Sequence, residues 1–597
     1  MATDFKSLPD LFEASVARFG DNPLFGTKQS DGTWAWMSYA EFGERVARAR
    51  AGLAGLGVGS GDRVAVILDN STEWAVGAYG TYTLGAAWVP MYEAQQSKEW
   101  QYILADSGAK VAFVADDGTR AQLEDHADRL PDLEQVVVIH GEAEGAAITF
   151  DELLARGAEA PVDTVHPDPE SLAGLIYTSG TTGNPKGVML SHANLTSNIN
   201  TYPDLFDIGP DDRTASFLPW AHSFGQVVEL HFILAAGASA GLTSAKTLMD
   251  DLPEIKPTIL VSVPAVYNRI YDGLKKLMAA EGGIKKMMFD QAMSNADKRS
   301  TLAAEEKTST FVELQQGLFD QLVFSKVRDR FGGRLKYAFS GGAAISPEVA
   351  EFISALGLTV YEGYGLTETS PVAAANIEGS RKVGTVGREI PGVRIDIDMD
   401  AVGSEEVGEI VIHGPNVMMG YYNLAEENEA AFTPDGGFRS GDLGSRDDEG
   451  FISIRGRIKE QYKLENGKYV VPSPIEEQLQ LSGFVTNIMV YGEQRPHNVA
   501  VIVPDIEALK RWADDNGLGD RSIEQLLKEE QVADLIQLEL NRYSGPIKGY
   551  EKIRGFVLSD EEFTPENGML TPSLKIKRRA IMTKYGDEIE ALYSRES

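Results

Sequence analysis

Tyr177-Thr-Ser-Gly-Thr-Thr-Gly-Asn-Pro-Lys186-Gly-Val, residues 177–188, is the stretch whose reading decides the fold. An apolar, strand-like run (172–176) feeds a loop with three glycines, four hydroxyl side chains and one lysine. Glycines let backbone N–H groups approach an anion, the hydroxyls add donors and the lysine adds charge, so the loop reads as a phosphate cradle. Its candidate binding residues are Thr178, Ser179, Gly180, Thr181, Thr182, Gly183 and Lys186. It is not a Walker loop, because Pro185 holds the glycine position before Lys186 and Gly187 replaces the required Ser or Thr. Two other glycine-rich stretches are decoys. Residues 237–241 (GASAG) follow a helical run rather than a strand, the wrong order for a nucleophile elbow. Residues 55–61 (GLGVGSG) lie between a helix and a strand, the reverse of a dinucleotide fingerprint.

On both sides of the loop, helical and strand-like apolar spacing alternate. The helical pattern at 41–56 leads to the run 64–68, 73–84 leads to 87–90, and 100–107 leads to 110–114. That alternation predicts parallel sheets covered by helices. Residues 141–169, acidic and Pro-bearing, read as a connector, and 269–331 as a charged helical stretch. From 384 to 456, short β-rich segments (393–397, 408–413, 451–454) separated by Gly and Asp predict a small β-barrel-like subdomain. A β–α mixture resumes after 456, giving domains at 1–456 and 457–597.

The chain has 597 residues, too many for one ordinary core, and 43% hydrophobic with 24% charged residues marks a soluble globular protein. A formal charge of −34 argues against loose electrostatic binding to nucleic acid or anionic lipid, leaving room only for a local basic patch. With no cysteine, disulfides, a thiolate nucleophile and any enzyme-bound thioester are excluded, so if a thioester is made here its sulfur must arrive on a cofactor. The N-terminus reads as an amphipathic helix, and no apolar run reaches the ~18 residues of a membrane span. A cytoplasmic location follows, with peripheral contact at a membrane and self-association both left open.

Further motifs follow in order. They are Gly85-Ala-Ala-Trp-Val-Pro90, Pro219-Trp-Ala-His222, Ser340-Gly-Gly-Ala-Ala344, Tyr361-Glu-Gly-Tyr-Gly-Leu-Thr-Glu368, Ser440-Gly-Asp442-Leu, Gly456-Arg457-Ile-Lys459-Glu and Leu570-Thr-Pro-Ser-Leu-Lys575-Ile-Lys577-Arg578. With the phosphate loop, this ordered set resembles the adenylate-forming superfamily of acyl-CoA synthetases, adenylation domains and luciferases. The resemblance spans nearly the whole chain. It implies an α/β fold: a large N-terminal domain of two helix-covered sheets plus a β-barrel subdomain, then a small mobile α+β domain hinged at 457–460.

The resemblance also implies roles. His222 lies near the acyl carboxylate. Gly341, Gly342, Ala343, Glu362, Gly363, Tyr364, Gly365 and Thr367 surround the adenine, on which Tyr364 is suited to stack. Glu368, with Thr178, holds Mg²⁺ between phosphates. Asp442 accepts from the ribose hydroxyls, as acidic residues do in other nucleotide sites, and Arg457 of the hinge motif is a further cofactor-binding candidate. Lys459 is the hinge, a lysine where aspartate is the other known choice. Lys575 reaches the α-phosphate and carboxylate, with Lys577 its competitor, and Leu574 replaces the family's usual glycine. After rotation of the small domain, Lys463 and Gly467 face CoA. His192 reads as structural.

The helical stretch before Gly333-Arg-Leu-Lys-Tyr-Ala-Phe-Ser-Gly-Gly342, the segment Lys463–Glu476 and the Leu-Thr-Pro-Ser-Leu-Lys575 ending resemble the long-chain fatty acid–CoA ligase branch. The implied reaction consumes ATP with Mg²⁺, forms an acyl-AMP and passes the acyl group to CoA. The runner-up is a ligase that passes it to a separate carrier protein. A light-emitting oxygenase stays open on motifs alone, whereas Glu368 and Lys575 together argue against a non-catalytic ATP sensor. The run Lys285-Lys286-Met287-Met288-Phe289 suits a membrane surface or, as the favoured reading, an amphipathic helix packed on its own domain.

Overall fold

A computed structural model describes residues 4–178, 184–304, 307–402, 406–545, 547–564, 567–571 and 575–594. The chain divides into two compact units, and the division does not fall at 456. The first holds Met1–Asp396, Val411–Ser440 and Asp448–Ile452, and the second holds Ile397–Ile410, Gly441–Asp447 and everything from Ser453. The β-rich stretch was expected to sit wholly in the first domain, yet its middle portions group with the C-terminal part. There they contribute to a four-stranded sheet in which Gly444 lies against Ile410 and the carbonyl of Ser453.

The first unit contains two large sheets. One has nine strands in the order Arg388–Glu389, Val372–Ala375, Val360–Gly365, Tyr337–Ser340, Ile259–Ser262, Arg213–Ser216, Ser239–Leu242, Pro23–Lys28 and Trp34–Ser38. The other has eight, in the order Gly420–Tyr421, Lys186–Ser191, Leu172–Thr178, Ala87–Met91, Arg63–Ile67, Val111–Asp116, Gln135–His140 and Ile148–Thr149. Their central strands run parallel, as the helix–strand alternation predicts. Side chains from both sheets join one core with the helices Tyr39–Gly55 and Thr72–Tyr82. Trp74, at its heart, meets the rings of Trp88 and Trp220 edge-on at 5.4 and 5.6 Å.

Residues 141–169 are more than a connector. Thr149 and Glu152 form a reciprocal capping box that starts the helix Phe150–Glu159, and Phe150, Leu153 and Gly157 are buried. A side chain at Gly157 would meet the carbonyl of Arg48 at 1.9 Å, so glycine lets this helix lie directly on Tyr39–Gly55. Its apolar positions are few and its neighbours acidic, so the helix is fixed by that contact rather than by composition.

The second unit has a three-stranded sheet, Val485–Tyr491, Asn498–Pro504 and Ile553–Leu558, with the helices Pro472–Leu479, Glu530–Tyr543 and Arg578–Ser594 among those around it. Among the described residues, no helix in either unit is long and apolar enough to cross a membrane.

Candidate active site

In the first unit the motifs gather at the C-terminal ends of neighbouring strands, where α/β sheets bind ligands. Ser262, Ser340 and Glu362 lie abreast on three parallel strands. The strand Leu172–Thr178 pairs antiparallel with Lys186–Ser191, so Thr178 and Lys186 face each other across the neck of the phosphate loop. Tyr177 anchors that neck by donating its hydroxyl to Asp106 at 2.6 Å. Ser179, Gly180, Thr181, Thr182 and Gly183 lie outside the described residues.

Lys186 and Glu368, 182 positions apart in sequence, meet through Tyr421. The Tyr421 hydroxyl donates to Glu368 Oε1 at 2.9 Å, and the Lys186 ammonium stands 5.2 Å from the centre of the same ring. Lys186 also pairs with Glu427. Asn428 fixes the tyrosine by accepting from its backbone N–H at 2.6 Å and donating to its carbonyl at 2.9 Å. Two further amides brace the wall: Asn194 donates to the carbonyls of Pro415 and Val417, and Asn416 to those of Thr369 and Val372. Tyr421, Glu427 and Asn428 escape sequence reasoning, since nothing in their local pattern sets them apart.

The Tyr361–Glu368 motif ends a strand and enters a short 3₁₀ turn, Thr367–Thr369. Gly365 is obligatory, because a Cβ there would sit 1.7 Å from the carbonyl oxygen of Pro371. Gly363 and Tyr364 are half-buried at the same strand end, and Gly342 and Ala343 form an exposed ledge after the neighbouring one. A Cβ at Gly341 would meet the Phe224 ring at 2.8 Å, which couples that ledge to the Pro219–His222 turn. Glu362 points inward. Burial pushes its carboxyl up to about 7, against the pull of Arg381 and of the Ile345 and Gly384 N–H groups.

His222 starts the turn Ser223–Gly225, its Nδ1 accepting the Phe224 N–H at 3.2 Å, which places the proton of the neutral ring on Nε2. Ser223 and Thr367 hydroxyls are 3.2 Å apart in a buried contact, tying this turn to the Glu368 motif. Beneath it lies Glu229, fully buried, which sequence reading also missed. It accepts from Thr214 at 2.9 Å, Ser216 at 2.6 Å and the Trp220 indole at 3.4 Å. Burial pushes its carboxyl up to about 7 despite those donors. His192 is buried, accepts from the Leu8 N–H, and is lowered by burial to about 4.

The second unit carries the remaining candidates. Asp442, 4% exposed, is bridged by Arg457 at 3.0 Å. Lys459 lies in the 3₁₀ turn Ile458–Glu460. Lys463 ends the first strand of a small hairpin, paired with Tyr469, whose turn holds Gly467 at φ +83°. Lys575 is exposed. Its N–H donates to Thr571 Oγ1 at 3.0 Å and its carbonyl accepts from the Thr571 N–H at 2.8 Å. Three residues on, Arg578 grips Glu476 through two 2.6 Å hydrogen bonds.

The model of the AMP-binding enzyme family matches residues 12–422, and that of the AMP-binding enzyme C-terminal domain matches 459–597. The long-chain-fatty-acid–CoA ligase FadD15 of Mycobacterium bovis is 33% identical over 95% of this chain and 94% of its own. Human long-chain-fatty-acid–CoA ligase 1 is 30% identical over 99% of this chain and 87% of its own. Among solved structures, the adenylation domain of a carboxylate reductase from Mycobacterium chelonae superposes with a TM-score of 0.77 at 25% identity, covering 98% of this chain and 91% of that one. A Segniliparus rugosus counterpart, solved with AMP and a co-purified carboxylic acid, has the same fold, with a TM-score of 0.77 at 24% identity over 99% of this chain and 94% of its own. The chain belongs to the AMP-binding, adenylate-forming enzyme family, in the branch that contains the long-chain-fatty-acid–CoA ligases.

Proposed function

We propose that this enzyme condenses a long-chain fatty acid with ATP to give an acyl-AMP and pyrophosphate, then transfers the acyl group to CoA. The observation that carries the reading is the meeting of Lys186 and Glu368 on Tyr421 at the strand ends. A carboxylate is a poor acyl donor because oxide is a poor leaving group, and attack on the α-phosphate replaces it with AMP. Lys186 and Lys575 offset the charge that builds on the phosphate during that displacement. His222, presenting Nε2–H, donates toward the acyl carboxylate. Asp442 and Arg457 hold the ribose, and Tyr364 covers the adenine.

Among the described residues, no three metal-ligating side chains form a ready cage. That suits Mg²⁺, which keeps several waters and takes one or two protein oxygens besides those of phosphate. Glu368 and the Thr178 hydroxyl would hold it, and it would neutralise phosphate charge. The second unit serves both half-reactions: with Lys459 as hinge it offers Lys575 for adenylation, then the Lys463–Gly467 hairpin to CoA. Location in the cytoplasm, with peripheral contact at a bilayer, belongs to the same reading because the acid is itself bilayer-soluble.

The test is ATP–pyrophosphate exchange across a series of carboxylic acids, followed by product analysis with CoA. Exchange that peaks with long-chain acids and yields acyl-CoA supports the proposal. Release of acyl-AMP that CoA does not consume would replace CoA with a separate carrier protein.

A further inference from the structure

The turn that presents His222 is gripped from the opposite sheet. It follows the strand Arg213–Ser216 of the nine-stranded sheet and closes with the His222 N–H donating to the Pro219 carbonyl at 3.0 Å. Asn70, which follows the strand Arg63–Ile67 of the eight-stranded sheet, reaches across to it with a half-buried amide. Its Nδ2 donates to the Leu218 carbonyl at 2.7 Å, and its Oδ1 accepts the Trp220 N–H at 2.8 Å. The side chain thus completes a reciprocal pair of the kind that joins two strands, across 148 and 150 positions of sequence. A flipped amide would set donor against donor and acceptor against acceptor, so both contacts depend on one orientation.

Asn70 is itself anchored on both sides. The next residue, Ser71, caps the helix Thr72–Tyr82 by accepting the Trp74 N–H at 3.1 Å, and the Asp69 N–H before it donates to Glu93 at 3.3 Å. From the other direction, the Trp220 indole donates to buried Glu229, and its ring packs edge-on against Trp74. Trp220 is therefore fixed at backbone and side chain, two residues before His222. The eight-stranded sheet also carries the phosphate loop. Its strands Arg63–Ile67, Ala87–Met91 and Leu172–Thr178 are successive parallel neighbours, so Asn70 and Thr178 issue from the same end of one sheet. One amide thereby ties the sheet of the phosphate loop to the turn of His222.

We propose that Asn70 is a positioning residue for adenylate formation, its amide holding the Leu218–His222 turn in register with the phosphate loop. The inference rests on the reading above, in which His222 meets the acyl carboxylate while Thr178 and Lys186 meet the phosphate side. In that step a carboxylate oxygen bonds to the α-phosphorus as the bond to pyrophosphate breaks, and the two reactants arrive unlinked. Their alignment must come from the protein, and an error of about 1 Å costs about a hundredfold in rate. In the second step carboxyl and phosphate already belong to one molecule, so the same register matters far less.

The experiment compares pyrophosphate exchange, run with ATP and palmitate, with acyl transfer from pre-made palmitoyl-AMP to CoA, both in the full chain. Asn70→Ala should lower kcat for exchange roughly 10²-fold, with KM for ATP within about twofold of the parent. Transfer from palmitoyl-AMP should stay within about threefold of the parent. Asn70→Asp keeps the size of the side chain and adds a pH signature. Its ionised carboxylate accepts the Trp220 N–H but repels the Leu218 carbonyl, whereas the protonated acid donates to that carbonyl and rebuilds the pair. Asp69, Glu93 and Glu229 titrate in the parent as well, so the variant's exchange rate divided by the parent's isolates the substituted group. That ratio should climb several-fold as pH falls from about 8 to about 5.5. Exchange at the parent rate in Asn70→Ala, or exchange and transfer falling together, overturns the proposal. So does an Asn70→Asp ratio that is flat with pH, a result that decides the matter even where the alanine variant does not fold. A parent that exchanges pyrophosphate only with short or aromatic acids sinks the fatty-acid reading instead, and the clamp is then judged by the same ratios on that acid.

Discussion

Glu229 in the first unit and Glu476 in the second are both buried glutamates beneath functional segments, and they are held in opposite ways. Glu229 faces only neutral donors, two hydroxyls and an indole. Glu476 faces the Arg578 guanidinium through two short hydrogen bonds and also accepts from the Val490 N–H at 2.6 Å. The first glutamate underpins the Trp220–His222 turn, and the second ties down the chain three residues after Lys575. Neutral donors orient a carboxyl group without compensating its charge, so burial drives Glu229 toward protonation. A guanidinium compensates charge but makes each partner depend on the other. One device responds to pH, and the other fails when either half is removed.

The largest effect is expected from what the second clamp serves. Lys575→Ala should cut adenylate formation roughly 10²–10³-fold by removing a charge aimed at the transition state. Thioester formation from pre-made acyl-AMP should survive, and equal loss of both half-reactions would reassign the residue. Glu476→Gln should then cost roughly 3 kcal/mol in urea melts by leaving the half-buried Arg578 with Glu460, 3.9 Å away, as its remaining counter-charge. A variant as stable as the parent would mean that the pair contributes nothing net.

Glu229→Gln should act in the other direction, and only at higher pH. The folded carboxyl titrates at about 7 against an ordinary value of 4.5, so between those values the folded state holds a proton that the unfolded state has lost. Stability conferred by the parent carboxyl therefore falls as pH rises through that window, by about 3 kcal/mol in all. The glutamine variant lacks that slope and should gain on the parent as pH rises. Parallel stability curves for the two proteins would place the Glu229 titration elsewhere.

The smallest effect belongs to the phosphate side of the first unit. Tyr421→Phe removes the hydroxyl that orients Glu368 while keeping the ring beside Lys186. Apparent Mg²⁺ affinity should fall about 10–100-fold, as for other partners of a metal ligand, and raised Mg²⁺ should restore the rate. If the Mg²⁺ dependence is unchanged, Tyr421 positions only the lysine.

Much of this molecule was legible in its sequence for a local reason. A helix–strand alternation and a run of ordered motifs are set by neighbours within a few positions. Hence the two helix-covered sheets, the structural reading of His192 and the family all follow from short stretches. Tertiary structure alone decided the rest. Tyr421 reaches Glu368 across 53 positions, and Lys186 reaches Glu427 across 241. Glu229, 13 positions from Ser216, has nothing in its local pattern to distinguish it from any helical glutamate. The boundary near 397–453 likewise depends on which residues touch, because strand-forming composition is the same on either side of it. Local chemistry fixes what a residue is able to do, and only the folded chain fixes which partner it meets.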